Sequence, residues 1–89
     1  MKEKAWAGTM ESSDIYVEVM PLPSGSGIEL TVNSVVYAQF GDAIEATIMD
    51  TLQALEIEDM RVIANDRGAV DCTIKARVET AVCRLKEED

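Results

Sequence analysis

The apolar residues of this chain change their spacing partway along it, and that change limits the folds open to it. From Ile15 they alternate, with Ile15, Val17 and Val19 on one side and Tyr16, Glu18 and Met20 on the other. Alternation of this kind marks a strand with one face buried. The segment Pro21-Leu22-Pro23-Ser24-Gly25-Ser26-Gly27 interrupts it. Proline lacks the ladder donor and glycine frees the backbone. A second alternation follows, with Ile28, Leu30 and Val32 set against Glu29, Thr31 and Asn33. The two runs read as an antiparallel pair joined by a mobile loop.

The period then becomes helical. Val36, Phe40, Ala43/Ile44, Thr47/Ile48, Leu52 and Leu55 recur at spacings of three and four, with Asp42, Glu45 and Gln53 on the other face. Asn33 or Ser34 precedes the run, and either side chain can accept a bond from an orphan N–H of the first turn. Gly41 falls inside the helix and weakens it; close packing on the sheet would account for it.

A third strand is expected over residues 60–65, with Val62 and Ala64 or Ile63 as the inward set. Asp66-Arg67-Gly68 then signals a turn. Beyond it two templates compete. Val70, Cys72, Ile74 and Ala76 alternate with charged and polar neighbours, as in a strand; Val70, Ile74, Val78, Ala81/Val82 and Leu85 fit a helix. The hairpin-like turn favours a strand through Arg77, then a short helix over 79–86. The order β-β-α-β-β-α follows. It predicts an α+β domain of two layers, with a four-stranded, mostly antiparallel sheet and both helices on one face. All 89 residues fall in this one domain, with 1–13 a flexible lead-in and 87–89 a frayed acidic tail.

Charge narrows the partners. Seventeen acidic residues against eight basic give a net charge of −9. Phosphate backbones and anionic lipid repel such a surface, so neither nucleic acid nor membrane is an expected partner; a protein with a basic docking face gains electrostatic steering. No apolar run reaches membrane-spanning length, and Met1-Lys2-Glu3-Lys4 leads into no secretory core, so the expected compartment is the cytoplasm. There Cys72 and Cys83, outside any CxxC pattern, are expected reduced and buried.

The chemical inventory is thin. With no histidine in the chain, a zinc site or a Ser–His triad lacks its material. No pair of carboxylates is set apart for acid–base work. Gly8 and Gly68 stand alone rather than in a phosphate-cradling loop. Ala7-Gly8-Thr9-Met10-Glu11-Ser12-Ser13-Asp14 gathers three hydroxyls ahead of the first strand. On local chemistry it reads as an Asx- or ST-turn. Arg67, Lys75, Arg77 and Arg84 concentrate in the last quarter of the chain, opposite a strongly acidic remainder, which suggests an internal pairing network.

Three motifs together resemble one family. The Ala7–Asp14 octapeptide is similar to the N-terminal signature of the citrate lyase acyl carrier proteins, the gamma chains. Asn33-Ser34-Val35 with Gln39-Phe40-Gly41-Asp42-Ala43-Ile44 resembles their central segment. Asn65-Asp66-Arg67-Gly68-Ala69-Val70-Asp71-Cys72 resembles their Asp-rich turn, with Asn65 and Arg67 as departures; Lys75-Ala76-Arg77-Val78-Glu79 fits the tail. The resemblance runs in order along nearly the whole chain. It implies a non-catalytic carrier. Ser12 would hold phosphoribosyl-dephospho-CoA through a phosphodiester, with Gly8, Glu11 and Asp14 as the flanking motif; Ser12 is chosen over Ser13 by the resemblance. The implied partners are the alpha chain, which exchanges citrate for acetate on the arm's thioester, and the beta chain, which cleaves the citryl thioester to oxaloacetate. A transferase that attaches the group and a ligase that acetylates it complete the set. A malonate decarboxylase delta chain and an unmodified acidic adaptor are the alternatives. The Asp-Ser-Leu site of four-helix acyl carriers is absent from the sequence.

Overall fold

The computed structural model describes residues 2–87. The elements are β1 (Ala5–Ala7), β2 (Ile15–Pro21), β3 (Ile28–Ser34), α1 (Tyr37–Ala54), β4 (Met60–Asp66) and α2 (Asp71–Lys86). They form a four-stranded mixed sheet in the order β1-β2-β4-β3. β1 with β2 and β2 with β4 are antiparallel, whereas β3 with β4 is parallel. The expected two-layer α+β class is observed. Among these residues no helix is long and apolar enough to cross a membrane.

The strand pairing departs from expectation. β2 and β3 are not neighbours, because β4 lies between them. Burial explains the order. β4 sends Met60, Val62 and Ala64 fully inward, whereas β3 alternates half-buried Ile28, Leu30 and Val32 with exposed Glu29, Thr31 and Asn33. The more apolar strand takes the centre and the more polar one the edge. The segment between β2 and β3 spans a gap two strands wide, about 10 Å. Asp59 holds its far end, its Oδ1 accepting from Gly25 N–H at 3.0 Å and Gly27 N–H at 2.8 Å. Parallel β3 and β4 then need a long crossover, which the 18-residue α1 supplies.

The fourth strand is also elsewhere. Of residues 70–77, expected as a strand, Val70 is the extended N-cap and 71–77 belong to a continuous helix, and the place on the sheet goes to β1, inside the segment expected to be flexible. A helix buries Ile74, Val78, Ala81, Val82 and Leu85 on one stripe. That outweighs the short alternation of Val70, Cys72, Ile74 and Ala76. Cys72 and Cys83 lie off this stripe, so both are exposed rather than buried. Ala5 and Ala7 point inward from β1, and their small size leaves room for α2 above them. Of the tail, Glu87 ends α2 in an extended conformation, while residues 88 and 89 lie outside the described residues.

α1 begins later than expected. Asn33 and Ser34 close β3, and Val36 occupies the N-cap without a side-chain bond. Ser34 still serves the helix start, its Oγ accepting from Val36 N–H at 3.1 Å. The buried stripe is Gly41, Ile44, Ile48, Thr51 and Leu52. Phe40, expected inward, is 53% exposed. Gly41 is explained by its own helix rather than by the sheet: a Cβ there would lie 2.8 Å from the Tyr37 ring, whose hydroxyl donates to Glu45 Oε1 at 2.9 Å.

The core lies between the inner sheet face and the helices. Ile15, Val17, Val19 and Val62 meet Ile48, Leu52, Ile74, Val78 and Leu85, all almost fully buried. α2 covers β1 and β2, α1 covers β3, and the helices touch each other. This arrangement sets α2 beside the start of β2, where the serines lie.

Candidate functional site

The segment between β1 and β2 is the turn that carries Ser12 and Ser13. Asp14 organises it. Its Oδ2 accepts from Thr9 N–H at 3.1 Å, Thr9 Oγ1–H at 2.7 Å and Arg77 Nη2–H at 3.0 Å. Its Oδ1 accepts from Ile15 N–H at 2.7 Å and Arg77 Nε–H at 3.0 Å. The Arg77 guanidinium is the main reason that the Asp14 carboxyl is held down at about 2, with the Thr9 and Ile15 bonds adding to it. The ladder between β2 and β4 extends past Ile15: Arg67 N–H donates to Asp14 O at 2.9 Å, and Ser13 N–H donates to Arg67 O at 2.8 Å.

Within this frame the turn closes on itself. Glu11 N–H donates to Thr9 Oγ1 at 3.2 Å and Asp14 N–H to Glu11 O at 3.2 Å. Gly8 enters the turn at φ +94°, and a Cβ there would overlap the carbonyl oxygen of Ile15. Only glycine fits that approach. Ser13 is also left-handed, at φ 65°. Both serines are exposed, and the Ser12 hydroxyl has no hydrogen-bond partner among the described residues. The turn expected from local chemistry is therefore present, and it presents a free hydroxyl on a backbone pinned at both ends.

A second carboxylate fixes the neighbouring turn. Asp66 is 1% exposed and pairs across the ladder with Ile15. Its Oδ2 accepts from Ser34 Oγ–H at 2.8 Å and Gly68 N–H at 3.1 Å, and its Oδ1 from Ala69 N–H at 3.0 Å. It ties together the ends of β3 and β4 and the turn into α2. The sequence marked Asp66 as a turn former in the Asp-rich segment that resembles the family, but not as the buried carboxylate that joins these ends.

The expected flanking residues Gly8, Glu11 and Asp14 thus surround Ser12, Gly8 and Asp14 by shaping the turn and Glu11 through its backbone. Arg77 is what sequence reasoning missed. The signals for it were the tail segment Lys75-Ala76-Arg77-Val78-Glu79 and the basic final quarter opposite a strongly acidic remainder, and the pairing network inferred there includes this bond.

The chain is similar to known proteins over nearly its whole length. Residues 2–85 match the family described as the malonate decarboxylase delta subunit (MdcD) acyl carrier family. The citrate lyase acyl carrier protein of Edwardsiella ictaluri is 42% identical over 93% of this chain and 84% of its own length. That of Vibrio cholerae serotype O1 is 49% identical over 90% of this chain and 81% of its own. Two solved structures share the fold. A chain of the Pseudomonas malonate decarboxylase hetero-tetramer in complex with malonate has a TM-score of 0.69 at 15% identity, covering 92% of this chain and 82% of its own. Staphylococcus aureus RNase P protein has a TM-score of 0.56 at 12% identity, covering 91% and 82%. Sequence similarity of this extent, together with the shared fold, shows that the chain belongs to the family of the citrate lyase acyl carrier proteins.

Proposed function

We propose that the chain is the acyl carrier subunit of citrate lyase and bears its prosthetic group on Ser12. The observation that carries the reading is the Ser12 hydroxyl itself, exposed and unbonded on a turn pinned by Asp14, Arg77 and Arg67. A serine that must be esterified by one enzyme and visited by others needs access rather than activation. Ser12 hydrogen-bonds to no base among the described residues, which suits a carrier that leaves chemistry to its partners.

The group proposed is phosphoribosyl-dephospho-CoA, joined through a phosphodiester. The exposed turn fits it, since nothing covers the hydroxyl and a long arm can leave toward solvent. The group supplies a terminal thiol for the acyl thioester. The residues of this chain hold the attachment point in place. A tethered acyl group stays at high effective concentration near the alpha and beta subunits, which exchange and cleave it. The loading transferase would esterify the Ser12 hydroxyl, and the acetylating ligase would acylate the thiol at the far end of the arm. All of this is proposed for the cytoplasm.

Intact-mass measurement of the chain from cells that hold the loading enzymes tests the reading. We expect an adduct of the phosphoribosyl-dephospho-CoA class that maps to Ser12 and disappears in Ser12→Ala. An adduct on Ser13, or one that survives Ser12→Ala, would rule the assignment out.

The family match and the fold shared with a malonate decarboxylase chain favour one second reading, the delta-type carrier of a decarboxylase. Subunits that co-purify with the chain separate the two. An unmodified acidic adaptor predicts instead that Ser12→Ala leaves complex function intact.

A further inference from the structure

Apolar side chains gather beside the serine turn. Met10, Val35, Phe40 and Val70 are each at least half exposed. Phe40 and Val70 line a groove of about 600 Å³ between the N-terminal parts of α1 and α2, together with the buried Ile44 and Ile74. Met10 and Val35 line a smaller depression of about 240 Å³ together with Arg67. The segment 67–70 runs from one hollow to the other, and its Arg67 carbonyl is the acceptor for Ser13 N–H. The smaller depression is thus hydrogen-bonded to the serine turn through Arg67, and the groove begins at the next residue, Gly68.

Acidic side chains outnumber basic ones around the groove, with exposed Arg67 lining the adjoining depression. Glu11, Asp42 and Asp71 are exposed around this surface and form no ion pair among the described residues. Several of the chain's cations are engaged elsewhere: Lys4 with Glu18, Arg61 with Glu29 and Arg77 with Asp14.

We propose that this groove is the docking surface for the transferase that esterifies Ser12, and that it receives an apolar side chain of that enzyme flanked by lysine or arginine. The inference rests on the Ser12 reading. An enzyme that reaches the Ser12 hydroxyl must lie against the adjoining surface, and the apolar hollows are on that surface. Clustered exposed apolar groups of this kind mark interaction sites, and a buried apolar anchor with a charged rim gives both affinity and steering. Charge selects the occupant. The chain's own prosthetic arm carries phosphates, which the acidic rim repels. A second copy would bring two rims of the same sign together on chains of net charge −9. A basic protein surface meets neither obstacle.

Titration calorimetry of the full-length unmodified chain against the purified loading transferase tests this. Phe40→Asp and Val70→Asp change exposed positions, so circular dichroism should show the parent fold. Each is expected to raise the Kd for the transferase about tenfold or more. Met49→Asp, exposed further along α1, should stay within about twofold of the parent. Joint Asp42→Lys and Asp71→Lys should weaken binding and flatten its salt dependence. Parent-like Kd values in both groove variants would overturn the proposal, as would a parent chain that does not bind the transferase. Groove protection from hydrogen exchange in the isolated modified chain would assign the groove to the arm. Self-association abolished by Phe40→Asp would assign it to a second copy. The two readings fail separately. An adduct at Ser12 with unchanged groove-variant Kd removes only the docking surface; groove-dependent binding without an adduct removes only the Ser12 assignment.

Discussion

Arg77 grips Asp14 with two parallel bonds of 3.0 Å, Nε to Oδ1 and Nη2 to Oδ2, across 63 positions of sequence. The pair joins the middle of α2 to the first residue before β2. It is the one side-chain ion pair found between the serine turn and the helical layer among the described residues.

Arg77→Ala should loosen the turn without dissolving the fold. Asp14 keeps its bonds to Thr9 and Ile15, and α2 keeps its buried stripe. Two charge-assisted bonds at a half-open site are worth about 1–2 kcal/mol after screening. Chemical denaturation should show a loss of that size, and hydrogen exchange at residues 9–14 should rise more than elsewhere. Arg77→Lys, which cannot make the planar fork, should recover less than half of the loss. Parent-like exchange at the turn in Arg77→Ala would refute the clamp.

The same pair sets an acid dependence. The Asp14 carboxyl is lowered from 3.8 to about 2, so folding favours its ionised form. That stabilisation is complete above 3.8 and is lost as the pH falls through about 2. Carboxyl NMR titration should place the Asp14 midpoint near 2 in the parent and closer to the ordinary value in Arg77→Ala. The stability gap between the two proteins should hold steady from neutral pH down to 3.8 and shrink below it.

Gly8→Ala should be costly despite adding a single methyl group. The residue sits at φ +94°, and the new Cβ would overlap the Ile15 carbonyl oxygen, which belongs to β2. Strain and displacement together should cost about 2 kcal/mol or more. For a domain of this size that lowers Tm by about 8 °C or more. Gly25→Ala is the control: its φ is also positive, at +92°, but a Cβ there meets nothing within 4 Å, so its penalty should be the smaller.

Asp66→Ala should destabilise most among the carboxylates. It removes the acceptor for Ser34 Oγ–H and for the Gly68 and Ala69 amides in a site that is 1% exposed. Leaving buried donors without partners costs about 3 kcal/mol in total. Urea denaturation should show it, and Asp66→Asn, which retains one acceptor oxygen, should lose less.

Much of this molecule could be read from its residues in order. The alternation from Ile15 and from Ile28 marks β2 and β3, and the three-and-four spacing from Val36 marks α1, because each depends only on which face of a local element is apolar. The family signature around Ser12 is likewise a matter of neighbouring residues. Pairing and placement are different. That β4 lies between β2 and β3 depends on which strand is apolar enough for the centre of the sheet, a comparison between distant segments. Residues 70–77 satisfy both periods, and the helix prevails because Ile74, Val78, Val82 and Leu85 meet a sheet whose last place β1 fills. Cys72 and Cys83 turn outward for the same reason. Arg77 gains its meaning only when α2 is laid over the start of β2, since a contact across 63 residues leaves no local pattern. The sequence by itself determined β2, β3, α1 and β4 and singled out Ser12 as the candidate; the tertiary structure decided that β1 joins the sheet, that 71–77 are helical, what holds the serine turn in place and which apolar surface stands beside it.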